Sequence, residues 1–340
     1  MNLLLCFALS ALLPSPLSAQ PRETPFLAMW WNVEALFNTT ADTTTDLDFT
    51  PSGRYQWTPE RLNLKLKRTA QVIREAAQAR GFTLPDLIGF CNVERQSLLD
   101  TLFQKYLQTN DFQTVFFTSP DPESRNIGFA FNRRKFALNF ASNYPIKLDT
   151  GKLSTRDIVL VKLDYRGRLL SVVLNHWETP KLFNPVVEAA RTQSARLLRS
   201  IIKSLRDGDP NAEILVLGDF GVSPSSKIIT EALLSSSDSS FVHASSEALL
   251  NLSQLSPSSG TVRIGTKWYA FDQALVSSAM LDTKNFFVLT NSLECFAAPY
   301  LFQPSRRSDP TGKLFSTFWN GRYIGGYSNH LPISVTLYFK

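Results

Sequence analysis

ILVLGDFG, residues 214–221, reads as a strand with no polar side chain until it delivers Asp219. A half-exposed strand alternates polar and apolar residues, whereas a continuous apolar run needs cover on both faces. Two other segments repeat the arrangement: DLIGFCNVE at 86–94 ends in Asn92 and Glu94, and LLSVVLNHW at 169–177 ends in Asn175 and His176. Between such strands lie stretches with a helical period. Thr58-Pro59-Glu60 opens one, since Thr accepts from free N–H groups, Pro sits where no donor is needed and Glu favours the positive end. Leu62, Leu66, Thr69, Ile73 and Ala76 then share a face, and Gly81 closes it. A second helix is expected from about 186 to 206, with Val187, Ala190, Ser194, Leu197 and Ile201 inward, and a shorter one over 97–107. Further strands are expected near 26, 115 and 127, at 158–163, around FFVL and at 332–339. Strands and helices interleave too closely to mark a domain boundary, so residues 26–340 form one α/β domain. Eleven of the 27 residues from 234 to 260 are Ser, and that stretch reads as a loop. Residues 296–322 read as irregular.

The composition is that of a globular protein: 44% of the 340 residues are hydrophobic and 19% charged. Thirty-five Lys and Arg against 29 Asp and Glu give +6, a mildly basic balance compatible with an anionic partner. The first 19 residues hold no charged side chain, carry an apolar run from Leu3 to Leu13, and end in small residues at Ala19. That is the shape of a secretory signal peptide, so the mature protein is expected to be secreted or periplasmic, with no stable transmembrane domain. Removing it leaves Cys91 and Cys295, too few for a disulfide scaffold; Cys91 reads as a buried free thiol. Asp42, Asp46 and Asp48 lack the Gly and terminal Glu of a calcium loop. No G-x-S-x-G or H-E-x-x-H is present, which sets aside esterase and zinc-peptidase chemistry.

Polar residues recur where apolar strands stop: Asn32, Asn92 with Glu94, Asn175 with His176, Asp219, Asp272, and Asn329 with His330. A sheet edge is where α/β proteins place chemistry on a rigid frame. Of the three histidines, two end strands beside an Asn; His243 lies in the Ser-rich stretch and has no assigned role.

WNVEALF (31–37), DLIGFCNVE (86–94), SRNIGFAF (124–131), TRDIVLV (155–161), VLNHW (173–177), LVLGDFG (215–221), KWYAFDQALVS (267–277) and GGYSNHLPISV (325–335) together resemble the ordered motifs of the endonuclease/exonuclease/phosphatase superfamily. The chain is most similar to its secreted bacterial branch. The resemblance implies a four-layer α/β/β/α sandwich with two mixed β-sheets that hydrolyses phosphoester bonds with Mg²⁺ or Mn²⁺. It implies that Asn32 supports a metal, that His176 faces the phosphate and assists the leaving group, and that Asp219 orients or deprotonates water. His330, held by Asp272, would bind or protonate a phosphoryl oxygen. A carboxylate fixes an imidazole's tautomer and favours its cation, which stabilises developing phosphoryl charge. Arg125 and Arg156 are candidate phosphate clamps.

The chain also departs from that pattern. Asn92 stands where the resemblance implies the metal-binding Glu, Gly221 replaces an Asn, Asn329 an Asp, and Gly128 an Asp; ETPKLF replaces the basic segment after His176. Neutral amides cannot supply the charge of a carboxylate to a hard cation. Glu94, two residues from Asn92, is a weak substitute ligand. The expected protein is therefore a family member with a degenerate metal centre that binds a phosphorylated or anionic ligand, with nucleic acid and phospholipid both conceivable, or a protein partner, with little or no hydrolysis. The alternative is an active Mg²⁺- or Mn²⁺-dependent phosphodiesterase or endonuclease using Asp219 and His330. A nonenzymatic structural or interaction module is the third reading. For the exported protein, N-terminal sequencing is expected to begin at Gln20; a chain still starting at Met1 would refute cleavage after Ala19.

Overall fold

The computed structural model describes residues 23–40, 47–121, 123–147, 156–178, 185–256, 260–303 and 312–340. The leader expected at 1–19 and the pair Asp42 and Asp46 lie outside the described residues. In chain order the strands are β1 (Thr24–Leu36), β2 (Leu87–Val93), β3 (Phe112–Phe117), β4 (Asn126–Asn132), β5 (Ala137–Tyr144), β6 (Ile158–Tyr165), β7 (Arg168–His176), β8 (Glu213–Asp219), β9 (Ser235–Ser236), β10 (Leu249–Asn251), β11 (Val262–Ile264), β12 (Lys267–Tyr269), β13 (Asp272–Ser277), β14 (Phe286–Cys295), β15 (Phe318–Trp319), β16 (Arg322–Tyr323) and β17 (Ile333–Phe339). The helices are α1 (Pro59–Gln78), α2 (Gln96–Thr101), α3 (Pro185–Gly208), α4 (Ser239–Ala244) and α5 (Leu252–Leu255).

Two mixed sheets form the centre, in the orders β14-β17-β1-β2-β4-β3 and β5-β6-β7-β8-β13-β10-β9. Each has a parallel pair at its middle, β1 with β2 and β7 with β8, flanked by antiparallel neighbours. The period of two distributes the apolar strands between layers. Phe26, Ala28 and Trp30 pack inward against Leu215 and Leu217 of the other sheet. Met29, Trp31 and Val33 face outward onto α1 and α2, while Ile214 and Val216 face α3. Both faces of β1 and β8 are thus covered, which is why these strands are continuously apolar. The result is the α/β/β/α sandwich. Thr58 caps α1 by accepting from the Arg61 N–H, and Leu66, Thr69, Ile73 and Ala76 are buried beneath it. Among the described residues no helix is long and apolar enough to cross a membrane.

Three expectations are corrected. The Ser-rich stretch is not merely a loop: β10 pairs with β13 inside the second sheet and β9 with β10, because Leu249, Leu250 and Leu252 supply buried apolar side chains between the serines. The region 296–322 is not wholly irregular, since Phe318-Trp319-Asn320-Gly321-Arg322-Tyr323 is a hairpin. Its Asn320 and Gly321 have φ of 49° and 74°, the left-handed pair that a two-residue turn requires. Gly128 is not a vacated acidic position: in β4 it faces the helix layer, and a Cβ there would collide with the Leu99 side chain.

Gly218 is also dictated by packing, because an added Cβ would lie 2.5 Å from the Asn175 carbonyl on the neighbouring strand. Gly218→Ala is expected to cost about 1–3 kcal/mol by forcing β7 and β8 apart. An unchanged urea midpoint for that variant would contradict this account.

Candidate functional site

The carboxyl ends of β1, β2, β7 and β8, the start of β13 and the approach to β17 converge at one edge of the sandwich. Register brings His176 beside Asp219 on parallel strands, and Asp219 beside Asp272 on antiparallel ones. Trp30 reaches across from the first sheet, its indole N–H donating to Asp272 Oδ1 at 2.9 Å. The other oxygen, Oδ2, lies 2.6 Å from His330 Nδ1. That leaves His330 Nε2 facing Asp219, 3.8 Å from Oδ2. Ser328 accepts from the His330 N–H and donates to the Asn32 carbonyl, fixing the turn that presents the imidazole.

Burial pulls the pKa of His330 down, but the Asp272 and Asp219 carboxylates, with the Asp272 hydrogen bond, outweigh it and push the value up to about 9. Asp219 is fully buried; desolvation raises its pKa above the ordinary carboxylate value, against the lowering effect of His330 and the donors Asn32 and Gly221. The ligand atoms of Asp219, Asp272 and His330 all lie within 4.8 Å of one another, a buried cluster compact enough to chelate a divalent metal.

His176 behaves differently from His330. Burial, then the nearby Arg156 and Arg125, hold its pKa well below the usual imidazole value, so it is neutral. It lies buried with Arg156 Nη1 3.0 Å from its Nε2. Arg156 does line the cavity, but it also donates to the Trp177 carbonyl and pairs with Asp121. Arg125 lines it too and is held by the same Asp121.

The cavity above this cluster has a volume of about 830 Å³. Arg125, Arg156, Arg191, Arg263 and Lys313 line it, against Glu34 and Glu123. The lining thus carries more cationic than acidic side chains, although Asp121 pairs with two of the arginines and Asp219 and Asp272 flank His330. Glu34 is half-buried, and its carboxylate accepts from the N–H groups of Thr317 and Phe318. Desolvation raises its pKa, opposed by the Lys65 ammonium.

Asn32 and Asn92 sit together. Asn92 donates from Nδ2 to Asn32 Oδ1 at 2.7 Å, and Asn32 donates from Nδ2 to Asp219 Oδ2 at 2.9 Å. Asn92 has a φ of 62°, at a bulge in β2, and its buried Oδ1 has no protein partner. Glu94 is not part of this group: its carboxylate accepts from the Asn38 N–H and pairs with the Arg95 guanidinium. Gly221 contributes only its backbone N–H to Asp219, and Asn329 is exposed at the cavity wall. Composition and strand-end logic missed Arg191, Arg263 and Lys313, which come from a helix, a short hairpin and a loop rather than from strand ends. They also missed the aromatic residues that line the same cavity, although the Asn-Gly turn between Trp319 and Arg322 was a hairpin signal.

The described cluster and fold agree with a family model for the Endonuclease/Exonuclease/phosphatase family, which matches residues 27–338. The chain belongs to that family. Solved structures with the same fold include the human Nocturnin catalytic domain with bound sulfate, 17% identical, with a TM-score of 0.55 over 93% of this chain and 95% of that one. A Bacteroides thetaiotaomicron mannosyl-6-phosphatase is 14% identical, with a TM-score of 0.55 over 92% and 99%. D. rerio TDP2 complexed with a single-strand DNA product is 11% identical, with a TM-score of 0.53 over 92% and 99%. At these identities the likeness shows the fold alone. No curated protein matches the sequence.

Within this family fold, the His330 pair has a measurable signature in stability. An unfolded imidazole titrates near 6.5 and the folded one at about 9, so His330 stabilises the fold in full below pH 6.5 and loses that contribution as pH rises through about 9. The urea midpoint is expected to fall between neutral and alkaline pH, and His330→Gln to flatten that slope; an equal slope in the variant would refute the assignment.

Proposed function

We propose that the protein hydrolyses a phosphoester held in the cationic cavity, with Asp219 and the His330–Asp272 pair as the reacting groups. The observation that carries this reading is the 2.6 Å Asp272–His330 contact, which leaves a protonated Nε2 3.8 Å from the Asp219 carboxylate beneath an arginine-rich cavity. Arg125 and Arg191, with the His330 cation, supply the charge that draws a phosphoryl group in. Asp219 accepts a proton from the attacking water as the new P–O bond forms. His330 gives its proton to the leaving alkoxide as the old P–O bond breaks, and Asp272 keeps the imidazole oriented throughout. His176, neutral and tied to Arg156, orients that arginine rather than carrying charge itself.

The family's ion does not fit these donors well. Mg²⁺ and Mn²⁺ favour carboxylate and water oxygens. Here Asn92 and Asn32 are neutral amides bonded to one another and to Asp219, and both Asp272 oxygens are engaged by Trp30 and His330. The donors around Asp219 thus offer an ion little anionic charge beyond the Asp219 and Asp272 carboxylates, and no step above is routed through an ion. The neutral amides of Asn32 and Asn92, which bring none of the charge a carboxylate would offer an ion, favour a second reading, in which the cavity binds a phosphorylated ligand with little turnover. Export of the mature chain from the cytoplasm, argued from its first 19 residues, is part of the same proposal.

Hydrolysis of a generic phosphodiester separates the two readings. Turnover is expected to fall about 100-fold or more in Asp219→Asn and in His330→Gln. Its pH profile should rise through the elevated Asp219 pKa and decline above about 9 as His330 loses its proton. Chelator should leave the affinity for inorganic phosphate within about twofold, because guanidinium groups provide the attraction. Turnover surviving in Asp219→Asn would overturn the hydrolytic assignment; absent turnover with retained phosphate binding would establish the second reading.

A further inference from the structure

One wall of the cavity is built from rings. Phe49, Tyr55, Phe318 and Trp319 all line it, together with the arginines. They come from two segments distant in sequence, the stretch preceding α1 and the β15–β16 hairpin, and they pack on one another. Tyr55 and Phe318 have ring centroids 4.7 Å apart, Phe49 and Tyr55 4.8 Å, and Phe49 and Phe318 5.9 Å. Trp319 is 48% exposed, with Lys313 Nζ 5.1 Å from its ring centroid. Behind the wall, Trp57 is fully buried and its indole donates to the Phe37 carbonyl at 2.9 Å. The Arg61 guanidinium lies 4.3 Å from the centroid of Tyr323, the cross-strand partner of Phe318.

The wall is also tied to the reacting centre. Glu34, two residues beyond Asn32 on β1, accepts from the backbone N–H groups of Thr317 and Phe318. Lys65 donates to Thr317 Oγ1 at 2.8 Å and to the Tyr327 carbonyl, pinning both ends of the hairpin segment to α1. Aromatic side chains have few torsions to freeze, so a wall braced in this way is ready before a ligand arrives. Its place in the same cavity as the arginines suits one molecule with an anionic end and a flat apolar end. A volume of about 830 Å³ suits a small molecule rather than a protein surface.

We propose that Phe49, Tyr55, Phe318 and Trp319 form a stacking subsite for a planar aromatic ring carried by the alcohol part of the phosphoester. This rests on the phosphoester reading and adds the chemical class of the ligand. The ring could be an aryl group or a nucleobase; both stack on aromatic faces.

Calorimetric titration of the whole protein tests it with four probes. Phenyl phosphate is expected to bind about tenfold more tightly than ethyl phosphate, equivalent to about 1.4 kcal/mol. Trp319→Ala and Tyr55→Ala should erase that ratio while leaving ethyl phosphate affinity within about twofold, and Trp319→Phe should retain most of it. Adenosine 5′-monophosphate against ribose 5-phosphate identifies the source of the ring. The same preference there supports a nucleobase; preference for phenyl phosphate alone supports an aryl group. Equal affinities for phenyl and ethyl phosphate, or a ratio untouched by the alanine variants, would overturn the subsite. Failure of every phosphate probe to bind would overturn the subsite and the phosphoester reading together. Lost turnover with the ring preference intact would count against hydrolysis alone.

Discussion

The carboxylate of Asp272 is the point at which the two sheets and the reacting imidazole meet. It belongs to the second sheet, accepts from Trp30 of the first, and orients His330 on the turn before β17. A buried carboxylate with an unfilled lone pair would be strongly destabilising, so each donor makes the others necessary. Trp30 is simultaneously a member of the inter-sheet core. Packing between the sheets therefore sets the orientation of the imidazole, and the charge of the imidazole in turn offsets the burial of the acid.

Around that fixed point, charge has been redistributed. Asn92, Asn32 and Asp219 form a hydrogen-bonded series containing one anion, where the resemblance to the family implies more acidic character. The opposite balance appears above it, where arginines and a lysine dominate the cavity lining. Arg191 remains cationic despite burial, which lowers its pKa while Asp219 and Glu188 counter the effect. Cations brought this close repel one another, and the carboxylates of Asp121 and Glu123 offset part of that repulsion.

Much of the fold was legible because it is written in two periods. The unbroken apolar character of ILVLG announced a strand covered on both faces, and the Thr-Pro-Glu opening located α1 to the residue. The strand-end rule likewise collected Asn32, Asn92, Asp219, Asp272 and His330, which the structure does bring together. It failed where neighbours, rather than sequence position, decide the chemistry. His176 and His330 both follow an Asn after or before a strand, yet one lies beside arginines and the other between carboxylates, so their charges differ. Glu94 was drawn away by Asn38 and Arg95, and Gly128 answers to the bulk of Leu99. β10 escaped notice because three residues are too few to show a period, and the cavity's cations because no local pattern marks a distant arginine as its lining.

The pairing of β1 with β17 sets a constraint of another kind. Thr24 lies opposite Phe339 and Trp30 opposite Ile333, so the second residue of the described chain is hydrogen-bonded in register with nearly the last. β1 is an interior strand whose neighbour on one side, β17, lies at the far end of the described residues. Until that pair forms, the Phe26 and Trp30 side chains lack the cover of Val335 and Leu337, and His330 has not reached Asp272. Closing a loop of this span carries a large entropic cost before it is rewarded by contacts, which places completion of the first sheet late in folding. The order of assembly thus keeps the His330 imidazole and the Asp272 carboxylate apart until the two distant strands have met.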